Sequence, residues 1–215
     1  MLKLLFALGL GIGLADVAAA QAVAPAAWES GKHYFPILPA QTTTTGDKIE
    51  VVEVFSYACP HCNQIAPMVA DIRKRLPANA EMILLPAQFG FESWQNYARA
   101  FYTAQALNLV DKSHADMFRA IYVDKKLDNN SKFDAIAGFY SKYGVSAEDF
   151  IATSKSFAIG ARLKRNDALI KAYGVDSTPQ FVVNGKYRLD AVSAGGYDKV
   201  EPLIHFLVAR EAAGG

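Results

Sequence analysis

The stretch from Ile49 to Leu76 constrains this chain more than any other. An apolar strand gives way there to a helix, and the only two cysteines fall at the junction, in Cys59-Pro60-His61-Cys62. Upstream, Ile49 to Phe55 reads Ile-Glu-Val-Val-Glu-Val-Phe, a β-branched run suited to a largely buried strand. Downstream, Ile65, Met68, Val69, Ile72 and Leu76 recur at helical spacing, and Pro60 suits a first helical position because its missing N–H would be unpaired there. Cys59 is therefore expected at a helix N-terminus. Unpaired backbone N–H groups and the positive end of the helix dipole stabilise a thiolate in that place, and His61 can add a donor or a charge. Cys62, one turn into the helix, is the natural resolving thiol.

Only the reduced form has a thiolate to stabilise, so an acidic Cys59 makes the disulfide oxidising. A Cys59 titrating about three units below the working pH would favour the reduced form by about 4 kcal/mol, or roughly 90 mV for two electrons. Two other uses of the pair weigh less. A structural bridge closing so short a loop constrains the unfolded chain very little. A zinc site needs further ligands, and His33, His114 and His205 lack ligand spacing.

The 215 residues suffice for one or two domains with a sizeable core, and a net charge of +1 gives no reason to invoke nucleic acid as a partner. Residues 1–20 read as a secretory signal: Lys3 leads the apolar run Leu4 to Leu14, and Ala18-Ala19-Ala20 offers a cleavage site near Ala20 or Ala22. That run is shorter than the ~20 apolar residues that span a bilayer. Export places the pair in an oxidising compartment, where it would handle the thiols of other proteins.

Glu53 interrupts the first strand on a face shared with Val51 and Phe55. Either that face is partly wet, or a buried acid of raised pKa lies beneath the cysteines and shuttles the proton of Cys62. Pro67 is expected to kink the following helix, Pro77 to end it, and Glu81 to Leu85 to form a second strand. Before the first strand, Tyr34 to Leu38 could add an edge strand at most, because of Pro36.

From Phe91 onward the pattern is helical. Trp94, Tyr97, Ala98, Phe101 and Tyr102 form one stripe, Met117, Phe118, Ile121 and Tyr122 a second, and Phe133, Ile136, Ala137 and Tyr140 a third, with Ser146 a further cap. Strand character returns at Gln180 to Val183, followed by an Asn184-Gly185 turn, a return strand Lys186 to Leu189 and a closing helix from Tyr197 to about Ala212. The order implies an α/β fold with an inserted helical domain.

Glu-Val-Phe-Ser-Tyr-Ala-Cys-Pro-His-Cys at 53 to 62, with Val-Asp-Ser-Thr-Pro-Gln-Phe-Val-Val-Asn-Gly-Lys-Tyr at 175 to 187, resembles the DsbA family of periplasmic thiol:disulfide oxidoreductases. The resemblance implies a thioredoxin-like fold, discontinuous over residues 21–90 and 166–215, with an inserted all-helical subdomain at 91–165. It implies that Cys59 is the exposed nucleophile, Cys62 its buried partner, Pro60 and His61 the pair that tunes the potential, and Glu53 the buried acid. Thr178 and Pro179 would form the cis-proline turn along which a substrate chain pairs. This family is itself a reference case of a very acidic cysteine in an oxidising pair, so the acidity expected of Cys59 is known chemistry. The implied partners are unfolded exported proteins with free thiols and a quinone-linked membrane oxidase of DsbB type; no cofactor or metal is required. A threonine at the place of Thr178 recurs in the disulfide isomerases of this fold, and Asn63 stands where an aromatic residue is common. A disulfide isomerase or reductase is thus the alternative reading, and a periplasmic metal carrier using both thiols is the one from another class. The leader from Gln21 to Asp47 is too short for the dimerisation domain of the isomerases, so a monomer is expected.

Overall fold

The computed structural model describes residues 28–214, so the expected signal sequence lies outside the described residues. Five strands form one sheet: β1 (Phe35–Pro36), β2 (Ile49–Phe55), β3 (Ala80–Pro86), β4 (Gln180–Val183) and β5 (Tyr187–Leu189), in the order β1-β5-β4-β2-β3. β2 pairs with β3 in parallel, Glu53 opposite Leu84, and with β4 antiparallel, Glu53 opposite Phe181. A parallel pair needs a crossover, and α1 (Pro60–Arg75) supplies it. α1 runs unbroken through Pro67 and ends just before Pro77.

Every residue of β2 is buried, because the sheet is covered on both sides. On one side Val51, Met82 and Phe181 pack with Ile65, Val69 and Ile72 of α1 and with Val200, Leu203 and Leu207 of the closing helix. On the other side Val52, Val54 and Val182 meet Ile170 and Tyr173. Each such side chain, fully buried, stabilises the fold by about 1.5–3 kcal/mol. The edge strand shrinks to two residues, Pro36 the second of them, at the sheet edge where a proline is tolerated.

Between β3 and β4 lie α2 (Glu92–Ala106), α3 (Val110–Tyr122), α4 (Phe133–Phe139) with a 3₁₀ turn at Tyr140–Tyr143, α5 (Ala147–Ser154) and α6 (Phe157–Ala172). Their aromatic stripes meet in one cluster, in which Tyr140 stacks on Phe150 with ring centroids 4.1 Å apart. Ser146 caps α5 as expected, its hydroxyl accepting from the Asp149 N–H at 3.1 Å. α6 carries no strong stripe and escaped the sequence reading. It places Ile159 and Leu163 in the helical cluster and Ile170 against the sheet, so the division expected at 165/166 falls inside one helix.

After β4 the Asn184-Gly185 turn has both residues at positive φ, 52° and 65°, closed by Lys186 N–H donating to Val183 O at 3.0 Å. A side chain at Gly185 would overlap the Gln41 carbonyl, so the leader also requires this glycine. The short helix α7 (Ala191–Ala194) leads to α8 (Tyr197–Ala212). There the buried carboxylate of Glu211 accepts from Asn184 Nδ2 at 2.6 Å and from Lys186 Nζ at 2.7 Å, fastening the hairpin to the closing helix.

Candidate active site

Cys59 is the N-cap of α1 and Pro60 its first residue. The turn out of β2 is made locally: Ser56 Oγ accepts from Ala58 N–H at 3.1 Å, and Ser56 O accepts from Cys59 N–H at 3.1 Å. Both cysteines are free thiols. Pro60 and His61 lie exposed beside them, with His61 Nδ1 3.3 Å from Gln64 Oε1.

The two thiols are driven in opposite directions. Cys59 is lowered to about 5, first by a hydrogen bond from the Cys62 thiol, against the cost of burial, then by Thr178 and the backbone N–H groups of Cys62 and His61. Cys62 is raised above the ordinary thiol range by burial, by donating to Cys59, and by the negative charges of Cys59 and Glu53. The family resemblance implies an exposed nucleophile. Cys59 is in fact only 5% accessible, because its thiol lies under Thr178, donating to that residue's carbonyl at 3.4 Å.

At pH 7 a Cys59 of this acidity is ionised by about two units rather than three. The reduced form then gains at most about 3 kcal/mol, or roughly 60 mV, less what solvent at the mouth of the site screens.

Glu53 is 2% exposed, which removes the partly wet alternative, and its Oε2 has no hydrogen-bond partner. Burial, then the Cys59 charge, raises its carboxyl to about 8, so it is protonated at neutral pH. A second acid in β2, Glu50, is equally buried but differs in kind. Its Oε2 accepts from Thr44 N–H and Oγ1, both at 2.7 Å. The resemblance singles out Glu53, and the structure adds the partner that the leader brings to Glu50.

Thr178 and Pro179 come from the other end of the chain, through a cis peptide bond, to face Cys59. Thr178 Oγ1 is buried without a hydrogen-bond partner, and Thr178 is among the groups that lower the Cys59 pKa, so its hydroxyl is free to turn toward a thiolate. Thr178→Val is therefore expected to raise the Cys59 pKa by about one unit, read from thiolate absorbance against pH. An unchanged titration would remove Thr178 from the set of donors. Among the described residues, no group of three or more His, Cys, Asp or Glu side chains is arranged to hold a metal ion.

A profile of the DSBA-like thioredoxin domain matches residues 50–204. The chain belongs to this family. It is 36% identical over 196 residues to the thiol:disulfide interchange protein DsbA of Pseudomonas syringae pv. tomato, covering 90% of this chain and 88% of that one. The Burkholderia cepacia DsbA is 31% identical over 206 residues, covering 95% and 93%. The crystal structure of Pseudomonas aeruginosa DsbA superposes with a TM-score of 0.79 at 33% identity, over 87% of this chain and 96% of that one. The DsbA resemblance, first carried by two motifs, thus extends through the helical block between them.

The sequence reading gave no role at this DsbA-family site to Tyr57, His114 or Tyr122. Tyr57 lies two positions before Cys59, and its hydroxyl meets His114 Nδ1 at 2.8 Å while its carbonyl accepts from Tyr122 Oη at 3.1 Å. His114, Phe118 and Tyr122 follow an i, i+4, i+8 pattern, a helical signal the sequence does carry. What it does not carry is which loop that face meets.

Proposed function

We propose that this protein donates disulfides to newly exported proteins by dithiol exchange at Cys59 and Cys62, in the periplasm, as a monomer. The observation that carries this reading is the pair of oppositely shifted thiols at one helix N-terminus, Cys59 at about 5 and Cys62 raised. A low-pKa sulfur is a good leaving group, whereas a high-pKa sulfur needs a proton when it leaves.

A substrate thiolate attacks Cys59 Sγ, forming a mixed disulfide and breaking the Cys59–Cys62 bond. Cys62 leaves as a thiolate and takes the proton of Glu53, which is neutral and desolvated at physiological pH. A second substrate thiolate then attacks the substrate's own sulfur, closing its disulfide and releasing Cys59 as the stabilised thiolate. The substrate loses two electrons and the cysteine pair gains them. Thr178, beside Pro179, offers its backbone to an extended substrate segment, which pairs like an added strand. Pro60 and His61, exposed at the first turn of α1, border the sulfur and tune its potential. A quinone-linked membrane oxidase of DsbB type returns the pair to the disulfide.

Redox equilibration of the mature protein against glutathione, followed by Trp28 and Trp94 fluorescence or by thiol trapping, tests the direction of exchange. A potential clearly more oxidising than the glutathione couple is expected. A value near thioredoxin's, about −270 mV, would replace donation by reduction.

A further inference from the structure

The redox loop packs against the helical block, and Tyr57 is the loop residue that the block holds by hydrogen bonds at both ends. Tyr57 leaves the end of β2 and inserts its ring among Phe55, Tyr97, His114 and Phe118, with centroids 5.0–6.0 Å away. α3 holds it at both ends. His114 meets the phenol and Tyr122 the carbonyl, and the step of eight positions from one to the other spans about 12 Å of helix.

The bond at the phenol has a definite polarity. Burial, then the charge of Arg73, lowers His114 to about 4 against the opposing effect of Asp111, so the ring is neutral at pH 7. Among the described residues the Tyr57 hydroxyl has no other acceptor, so it donates to Nδ1, and His114 carries its proton on Nε2. At the other end burial, then the charges of Cys59 and Cys62, raise the pKa of the Tyr122 hydroxyl, which lies within electrostatic reach of both sulfurs.

We propose that α3 is a clamp on Tyr57, with His114 and Tyr122 as positioning residues that hold the Cys59 loop where its sulfur meets its donors. The inference rests on the reading of Cys59 as the exchanging sulfur. Cys62, His61 and Thr178 stabilise the thiolate only at hydrogen-bond distance, so a loop free to shift by a fraction of an ångström weakens all of them together. The helical block would then set the potential of a site to which it contributes no reacting atom. Neither positioning residue is visible as such in the motif, because both act through a main-chain carbonyl and a phenol two residues upstream of it.

Tyr122→Phe and Tyr57→Phe each remove one hydroxyl and keep the ring. Each is expected to raise the Cys59 pKa and to shift the redox equilibrium with glutathione at least threefold toward the disulfide form. Asp116→Asn, which removes the partner of Lys142 and Tyr143 on another face of α3, serves as the control for general loosening. It should lower stability and leave the Cys59 titration in place. The proposal is overturned if the phenylalanine variants destabilise oxidised and reduced protein equally with the equilibrium unmoved, or if Asp116→Asn moves the Cys59 pKa as far as they do. The wild-type potential, measured alongside, tests the oxidase reading separately, since the clamp predicts differences between variants and not the absolute value.

Discussion

Cys59→Ser is expected to abolish insulin reduction and the oxidative refolding of reduced substrates, and to remove the thiolate absorbance step near pH 5. Cys62→Ser should keep a titrating Cys59 and accumulate mixed disulfides, since no internal sulfur remains to release them. Activity retained in Cys59→Ser would sink the exchange mechanism. The same sulfur governs the acid response of the reduced wild type. Its folded pKa, about 5, lies below the ordinary thiol value of 9.0. Between these values the unfolded chain binds a proton that the folded chain does not, so this contribution to stability rises with pH through that window. It is lost as pH falls through about 5. The oxidised protein has no such term. Chemical unfolding of the two forms should therefore show the reduced form gaining on the oxidised form as pH rises from about 5.

Glu53→Gln should have a large effect of the opposite kind. The folded carboxyl titrates at about 8 against 4.5 in an unperturbed chain. Between those values the folded state holds the proton and the unfolded state does not, so this contribution to stability falls as pH rises through the window. Removing the titration is expected to stabilise the reduced protein by up to about 4 kcal/mol at pH 7.5, with little gain at pH 4. It should also slow exchange at least about tenfold, because the departing Cys62 loses its proton donor. Urea unfolding at the two pH values, with stopped-flow exchange against a model dithiol, makes the comparison. Equal stabilisation at both pH values with unchanged rates would reduce Glu53 to a buried polar residue without a role.

A third acid-sensitive group acts alongside these. His114, lowered to about 4, is neutral in the folded chain where an unfolded histidine near 6.5 would be charged. Its contribution is complete above about 6.5 and lost as pH falls toward 4. The acid limit of the protein therefore reports on the clamp as well as on the thiols.

Much of this site was legible in order along the chain. The β-branched run into Cys59, the proline at the first helical position and the apolar spacing beyond fix a strand, a turn and a helix through interactions within a few residues. Cys59 at a helix N-terminus follows from that alone. Asn184-Gly185 likewise declared its turn, since both residues tolerate the positive φ that the turn demands. α6 did not declare itself, because a helix packed partly on a sheet and partly on other helices has no single apolar face.

Sequence by itself determined the strand-turn-helix junction, the two sulfurs and their spacing, and, through the DsbA motifs, the identity of Thr178-Pro179. Tertiary structure alone decided that Glu53 is dry while Glu50 is held by Thr44, and that Thr178 lies over Cys59. It also alone brought His114 and Tyr122 onto opposite ends of Tyr57. The reason is range. Caps, turns and periodicity act between residues a few positions apart, whereas the contacts of Thr178 with the Cys59 sulfur and of Tyr122 with the Tyr57 carbonyl join segments 119 and 65 positions apart, whose meeting is set by how the whole chain packs.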